Sequence, residues 1–180
     1  MNFELFHTDD IRVEYCDGTR RAIQRVLDAC REERRPYLIT TPLTSILVPV
    51  SMLEEEVYKA EICTYLARKT GAHLILLRAR DYGSKAKQNT QRIITHIQTI
   101  AERTGEEISY EVQEAKRDSF SFHKDFHSTE WKYDLLLLTA SREYGLDDWL
   151  FGPPELYAIR HSQVPVMLVN PREDLFSLCD

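Results

Sequence analysis

Three groups of residues in this chain have types and spacings that suit chemistry. The first runs from Thr139 through Ala140, Ser141, Arg142, Glu143, Tyr144 and Gly145 to Gly152. Glycines let backbone N–H groups approach an oxyanion closely, and an arginine adds a forked donor, so this loop suits an anion. The second is His123 and His127, one helical turn apart, with Asp125 and Glu130 nearby. Such a pair holds zinc or nickel once a third ligand arrives. It lacks the glutamate placement of a zinc protease, and the plainer reading is solvated surface histidines with no metal. The third is the set Arg20, Arg21, Arg25, Arg31, Arg34 and Arg35. It reads as an anion or partner site, or more plainly as a solvated helix face paired with Asp28, Glu32 and Glu33. Ser141 has no neighbouring histidine, so no nucleophile–base pair is visible and an enzyme is not expected. His161, in a helix–strand turn, reads as a cap.

The elements that position these residues alternate. Asp134 is followed by four leucines with no polar alternation, which reads as a strand covered on both faces. The Thr139–Gly152 loop follows. Pro153 and Pro154 suit the first turn of a helix, where a missing N–H costs nothing. A second apolar run, Val164-Pro-Val-Met-Leu-Val169, ends the unit. Strand, loop, helix and strand make a βαβ unit with parallel neighbours, and ligands of such sheets sit beyond the carboxyl ends of the strands.

Upstream, Ile46-Leu-Val-Pro-Val50 reads as another buried strand, with Pro49 near its carboxyl end because proline removes a ladder donor. A helix is expected from Met52 to Thr70, with Leu53, Val57, Ala60, Cys63 and Ala67 on its buried stripe and Gly71 as its cap. His73–Leu77 reads as a strand. Gly83-Ser84 opens a helix with Ile93, Ile94, Ile97, Ile100 and Ala101 inward. Ile108, Tyr110 and Val112 alternate with polar residues, as in an edge strand. Residues 116–133 lack an ordinary amphipathic crossover helix, although Phe122, Phe126 and Trp131 suggest an aromatic inner face.

Residues 1–42 read as an extension, 43–171 as the main domain and 172–180 as a tail. In the extension, Ile11, Val13 and Tyr15 alternate as a short strand. Ile23, Val26, Leu27 and Cys30 share one helical face, which is expected to dock on its own domain or on a partner. Tyr37 to Pro42 reads as a connector or a short added strand.

Composition narrows the function classes. The net charge of −6 does not favour nucleic acid or an anionic membrane. No apolar run approaches the ~20 residues of a membrane span, and no secretory signal is visible. Cys16, Cys30, Cys63 and Cys179 lack CxxC spacing and read as reduced thiols, so a cytoplasmic protein is expected.

From about Leu43 to Pro171 the chain resembles the universal stress protein family. The resemblance rests on Ile46-Leu-Val-Pro-Val50 with its acidic-start helix and on Thr70-Gly-Ala-His-Leu-Ile-Leu-Leu77. It rests also on Tyr133-Asp-Leu-Leu-Leu-Leu-Thr139, Phe151-Gly152 and Ile159-Arg-His-Ser-Gln-Val-Pro-Val-Met-Leu-Val169. It implies an α/β, doubly wound, Rossmann-like fold: a five-stranded parallel sheet, order 3-2-1-4-5, with helices on both faces.

The family holds members that bind ATP and members that do not. The resemblance places a nucleotide cleft at Val50, Ser51, Ala79, Thr139, Arg142 and Gly152. Binders carry glycine, two residues, glycine, nine residues, then glycine and serine or threonine. Here those positions are Thr139, Arg142, Gly152 and Pro153, and only Gly152 fits. Binders carry an aspartate just after the first strand, where this chain has Ser51. Each lost charge-assisted hydrogen bond removes roughly 1.5–3 kcal/mol of affinity. The expected cofactor is therefore none, with ATP as the alternative. The expected function is a non-enzymatic regulatory or interaction domain in stress response. The alternatives are a nucleotide binder with an altered phosphate loop and an accessory regulator of a membrane transporter acting in trans. The resemblance also implies a homodimer through the last strand, with Val164, Val166 and Leu168 at the interface. The partner protein remains unnamed by the sequence.

Overall fold

The computed structural model of the chain describes residues 12–15, 20–33, 37–40, 43–126, 132–140 and 154–169. The chain divides into two compact units, Met1–Leu43 and Thr44–Asp180. In the first, strand β1 (Arg12–Tyr15), helix α1 (Arg20–Glu33) and strand β2 (Tyr37–Thr40) form a small βαβ unit with β1 and β2 parallel. Tyr37–Thr40 is thus a strand and not a connector. On α1, Val26 is buried but Leu27 is 39% exposed, so the expected apolar stripe is narrower than its spacing implies. The side chains of Ile23 and Cys30 lie outside the described residues. Asp28 accepts from Gln24 and pairs with Arg31, as a solvated helix face would.

The second unit contains β3 (Ser45–Val50), α2 (Lys59–Thr70), β4 (His73–Arg78), α3 (Lys85–Thr104), β5 (Tyr110–Glu114), β6 (Leu135–Thr139), α4 (Pro154–His161) and β7 (Val166–Val169). Its sheet is five-stranded, parallel and ordered β5-β4-β3-β6-β7, which is 3-2-1-4-5 when counted within the unit. The apolar runs of β3, β4 and β6 are buried throughout because helices cover both faces. Leu47, Leu77, Leu136 and Leu138 face Phe122, Phe126 and Ala158 of α4 on one side. Ile46, Val48, Val50, Leu74 and Leu76 alternate with them, and α2 and α3 pack on that opposite face. Helices α2 and α3 both end on left-handed glycines, Gly71 (φ 72°) and Gly105 (φ 69°). Each donates its N–H back to the helix, to Ala67 and Ala101.

One local expectation changes. Residues Glu54–Tyr58 wind as a 3-10 helix before α2 begins. Three residues per turn shift the register, so Leu53 is 50% exposed and Glu56 turns inward. Residues 116–126 contain no α-helix; they turn through a short 3-10 segment, Phe122–Lys124. The aromatic inner face is present in the edge-to-face pair Phe122–Phe126, with ring centroids 5.0 Å apart. Trp131 lies outside the described residues. Among the described residues no helix is long and apolar enough to cross a membrane.

Candidate functional site

Pro49 sets the geometry at the carboxyl end of β3. Backbone groups alternate sides along a strand. The carbonyls of Thr44 and Val50 accept from His73 and Ala79, on the β4 side, while that of Ser45 accepts from Asp134. Odd-numbered residues of β3 therefore face β6, and Pro49 is one of them. Its missing N–H is missing on the β6 side. Accordingly, β3 pairs with β6 only through Ile46–Leu135 and Leu47–Leu136, whereas β3 and β4 pair from Ser45–His73 to Val50–Arg78. The proline is tolerated in a central strand because the two strands part there, at the switch point where the strand order reverses.

The groups freed by that parting are satisfied from inside. The Lys59 ammonium, 1% exposed, donates to the Pro49 carbonyl and pairs with the Glu56 carboxylate. Glu56 Oε1 accepts from the Ser51 hydroxyl at 2.8 Å. Among the described residues Glu56 Oε2 has this ion pair and no further hydrogen bond. Asn89, also buried, donates to the carbonyls of Ser51 and Leu53 at 2.9 and 2.8 Å. Met52 donates its N–H to Ser119, whose own N–H and hydroxyl donate to Asp81. The loops after β3, β4 and β5 are thus tied together. No sequence pattern announced the Glu56–Lys59 pair. Its three-residue spacing is visible, but spacing alone does not show that both side chains turn inward.

Of the residues expected to form a nucleotide cleft, Val50, Ser51, Ala79 and Thr139 stand at the carboxyl ends of neighbouring strands. Val50 is fully buried and Ser51 and Ala79 are 3% exposed. Thr139 ends β6, and its buried hydroxyl has no hydrogen-bond partner among the described residues. Arg142, Gly145, Gly152 and Pro153 lie outside the described residues, as do Ser141 and His127. His123 rests edge-on against Tyr157, with ring centroids 5.1 Å apart, and Tyr157 stacks on His161 at 4.0 Å. His161 Nδ1 lies 2.8 Å from the Tyr157 carbonyl at the last turn of α4, the place of a cap. Among the described residues no group of three or more His, Cys, Asp or Glu is arranged to hold a metal. Cys63 is a free thiol, and burial pushes its pKa up to about 12.

At the expected interface, Val164 and Val166 are half-buried against the core of their own unit. Leu168 is 46% exposed on β7, an outer strand of the sheet.

No protein-family model matches the chain, and no curated protein matches it. Solved structures do. A universal stress protein crystallised in complex with cAMP matches with a TM-score of 0.56 and 17% identity, over 73% of this chain and 100% of that one. A protein of the universal stress protein family from Burkholderia pseudomallei matches with a TM-score of 0.45 and 16% identity, over 72% and 96% of the two chains. The first likeness and the sheet order agree: the chain has the universal stress protein fold.

Proposed function

We propose that the chain is a cytoplasmic regulatory domain of the universal stress protein type. It acts through protein contacts, catalyses no reaction and does not hold ATP in the manner of the family's nucleotide binders. One observation carries this reading. The Ser51 hydroxyl, which stands where a binder presents an aspartate, is spent on Glu56, and Glu56 is held by Lys59. A group engaged at 2.8 Å inside the protein is not offered to a ribose or a base. The departures in sequence at Thr139, Arg142 and Pro153 point the same way, because the family's binders carry glycine, glycine and a serine or threonine at those positions to meet phosphate.

The proposed contact is a homodimer through β7. The two edges of the sheet differ. On β5, Glu111 and Glu114 flank Val112, and edge charges oppose pairing with another strand. On β7 the run Val166-Met-Leu-Val169 carries no charge. An uncharged apolar edge is a template for a second copy, and a two-fold axis would pair it with itself.

A second reading has a specific observation behind it. The Thr139 hydroxyl at the switch point lacks a partner among the described residues, and one of the matching structures was crystallised in complex with cAMP. A ligand at the end of β6 would supply that partner. Calorimetric titration of the full chain with ATP plus magnesium, and separately with cAMP, decides between the two. The expected result is no saturable heat below about 1 mM for either. A micromolar dissociation constant that weakens in Thr139→Val would overturn the first reading and establish the second.

A further inference from the structure

A cavity of about 500 Å³ lies one strand away from the switch point, at the carboxyl ends of β4 and β5. That volume is in the range of small-molecule sites. Four cations line it: Arg78, Arg80, Lys87 and Lys116. Three carboxylates also line it, and each already serves the protein. Glu114 accepts from Arg78 at 2.9 Å and lies 3.5 Å from Arg80. The Arg78 hydrogen bond holds the Glu114 carboxyl below its ordinary pKa. Asp81 accepts from the N–H and hydroxyl of Ser119. Asp118 accepts from the N–H and hydroxyl of Ser121, at 3.1 and 2.8 Å. The lining is therefore net positive in a chain whose overall charge is −6.

The two classes of ion fare differently here. A metal ion needs several oxygens free to converge, and both oxygens of Asp81 and of Glu114 and Oδ1 of Asp118 already face internal donors. An oxyanion needs donors on flexible arms; Lys87 provides one from an exposed position, and Arg80, also exposed, keeps its terminal nitrogens beyond the 3.5 Å pair of its Nε with Glu114. Tyr82 lines the same cavity with its side chain entirely in solvent. A bare tyrosine ring beside a charged pocket offers a flat apolar face for an aromatic body to stack on. The ring does not wander freely with its loop, because the neighbouring Asp81 is tied through Ser119 to the Met52 N–H.

We propose that this cavity is a binding site for a small phosphate monoester. Its phosphate dianion would be held by Arg80, Lys87 and Lys116, and a planar organic body would lie against Tyr82. The site borders the switch point at Ala79, but its proposed anion ligands Arg80, Lys87 and Lys116 follow β4 and β5 and none of them belongs to the nucleotide cleft.

Phenyl phosphate is the probe, because it carries the dianion and a flat ring and little else. The full chain is titrated with it while amide nitrogen–proton NMR shifts are recorded. The expected result is saturable shifts centred on Arg80–Gly83 and Lys116, with a dissociation constant of about 1 mM or lower. In the double variant Arg80→Ala, Lys87→Ala the affinity should fall at least tenfold. Both side chains are exposed, so the melting temperature should stay within a degree or two. Benzyl alcohol, with the ring but no charge, should not saturate. Three outcomes would overturn the proposal: no saturation by about 10 mM, undiminished affinity in the double variant, or shifts centred on Ser51 and Thr139. The last would place the anion at the switch point and leave the cavity after β4 without a ligand.

Discussion

Lys59 bears more structural consequence than any other single side chain near the switch point. It neutralises Glu56, satisfies the Pro49 carbonyl and, through Glu56, fixes Ser51. Burying a pair of charges costs desolvation energy that good geometry only partly offsets. Breaking one side of such a pair is worse, because the remaining charge is stranded. Lys59→Met should therefore lower unfolding free energy by about 3–5 kcal/mol. Adding Glu56→Gln to Lys59→Met should recover most of that loss, since no buried charge then remains. Urea denaturation of the two variants measures the difference. Equal losses in both would mean that the packing of the lysine stem matters and its charge does not.

At the scale of elements, the proposed assembly rests on the strand edges. The β5 edge is blunted by glutamates, and β7 is not. Leu168, 46% exposed on β7, is the residue whose change should be felt by a second copy and not by its own fold. Val164 and Val166 pack inward, so substituting them would confuse the two effects. Leu168→Lys should convert a dimer to a monomer in sedimentation at micromolar concentration, with far-UV circular dichroism unchanged. Edge lysine is one of the devices that keep natural strands from pairing. A wild-type chain that already sediments as a monomer would remove the β7 interface from the proposal.

At the scale of the molecule, distant segments are joined by ionised groups, which makes stability depend on pH. Asp134 Oδ2 accepts from the Thr44 N–H at 2.7 Å, the Thr44 hydroxyl at 2.6 Å and the Ser45 N–H at 3.0 Å. It ties the amino end of β6 to that of β3. Partial burial, the largest single influence, raises its pKa, but the three hydrogen bonds together outweigh this and the net shift is below the ordinary 3.8. A carboxyl with a depressed folded pKa contributes stability that is complete above its unfolded pKa. That stability is lost as pH falls through the folded value. Unfolding free energy should therefore decline below about pH 4. Asp134→Asn should remove part of that decline and cost about 1 kcal/mol at pH 7, a modest figure because solvent screens the site. Denaturation series at pH 7 and pH 3 for both proteins provide the check. An Asn variant with the same acid slope as wild type would assign that slope to other carboxylates.

What the amino-acid sequence determined by itself was set by short-range pattern. Ile46–Val50, His73–Leu77 and Leu135–Leu138 are apolar without alternation, so each had to be covered on both faces, and Ile108, Tyr110 and Val112 alternate with polar residues, as an edge strand does. Those four segments and the intervening helices are enough to place Val50, Ser51, Ala79 and Thr139 at one end of a parallel sheet. Tertiary structure decided what those residues meet. The 3-10 winding of Glu54–Tyr58 turned Glu56 inward and Leu53 outward, against a helical stripe that spacing alone supports. The side of the sheet on which Pro49 lacks its N–H followed from strand pairing. The cavity between Arg78 and Lys116 exists because β4 and β5 lie side by side. Periodicity reports burial, because burial repeats with the geometry of a single element. The partner of a buried charge depends on which elements meet, and no repeat within one element carries that information.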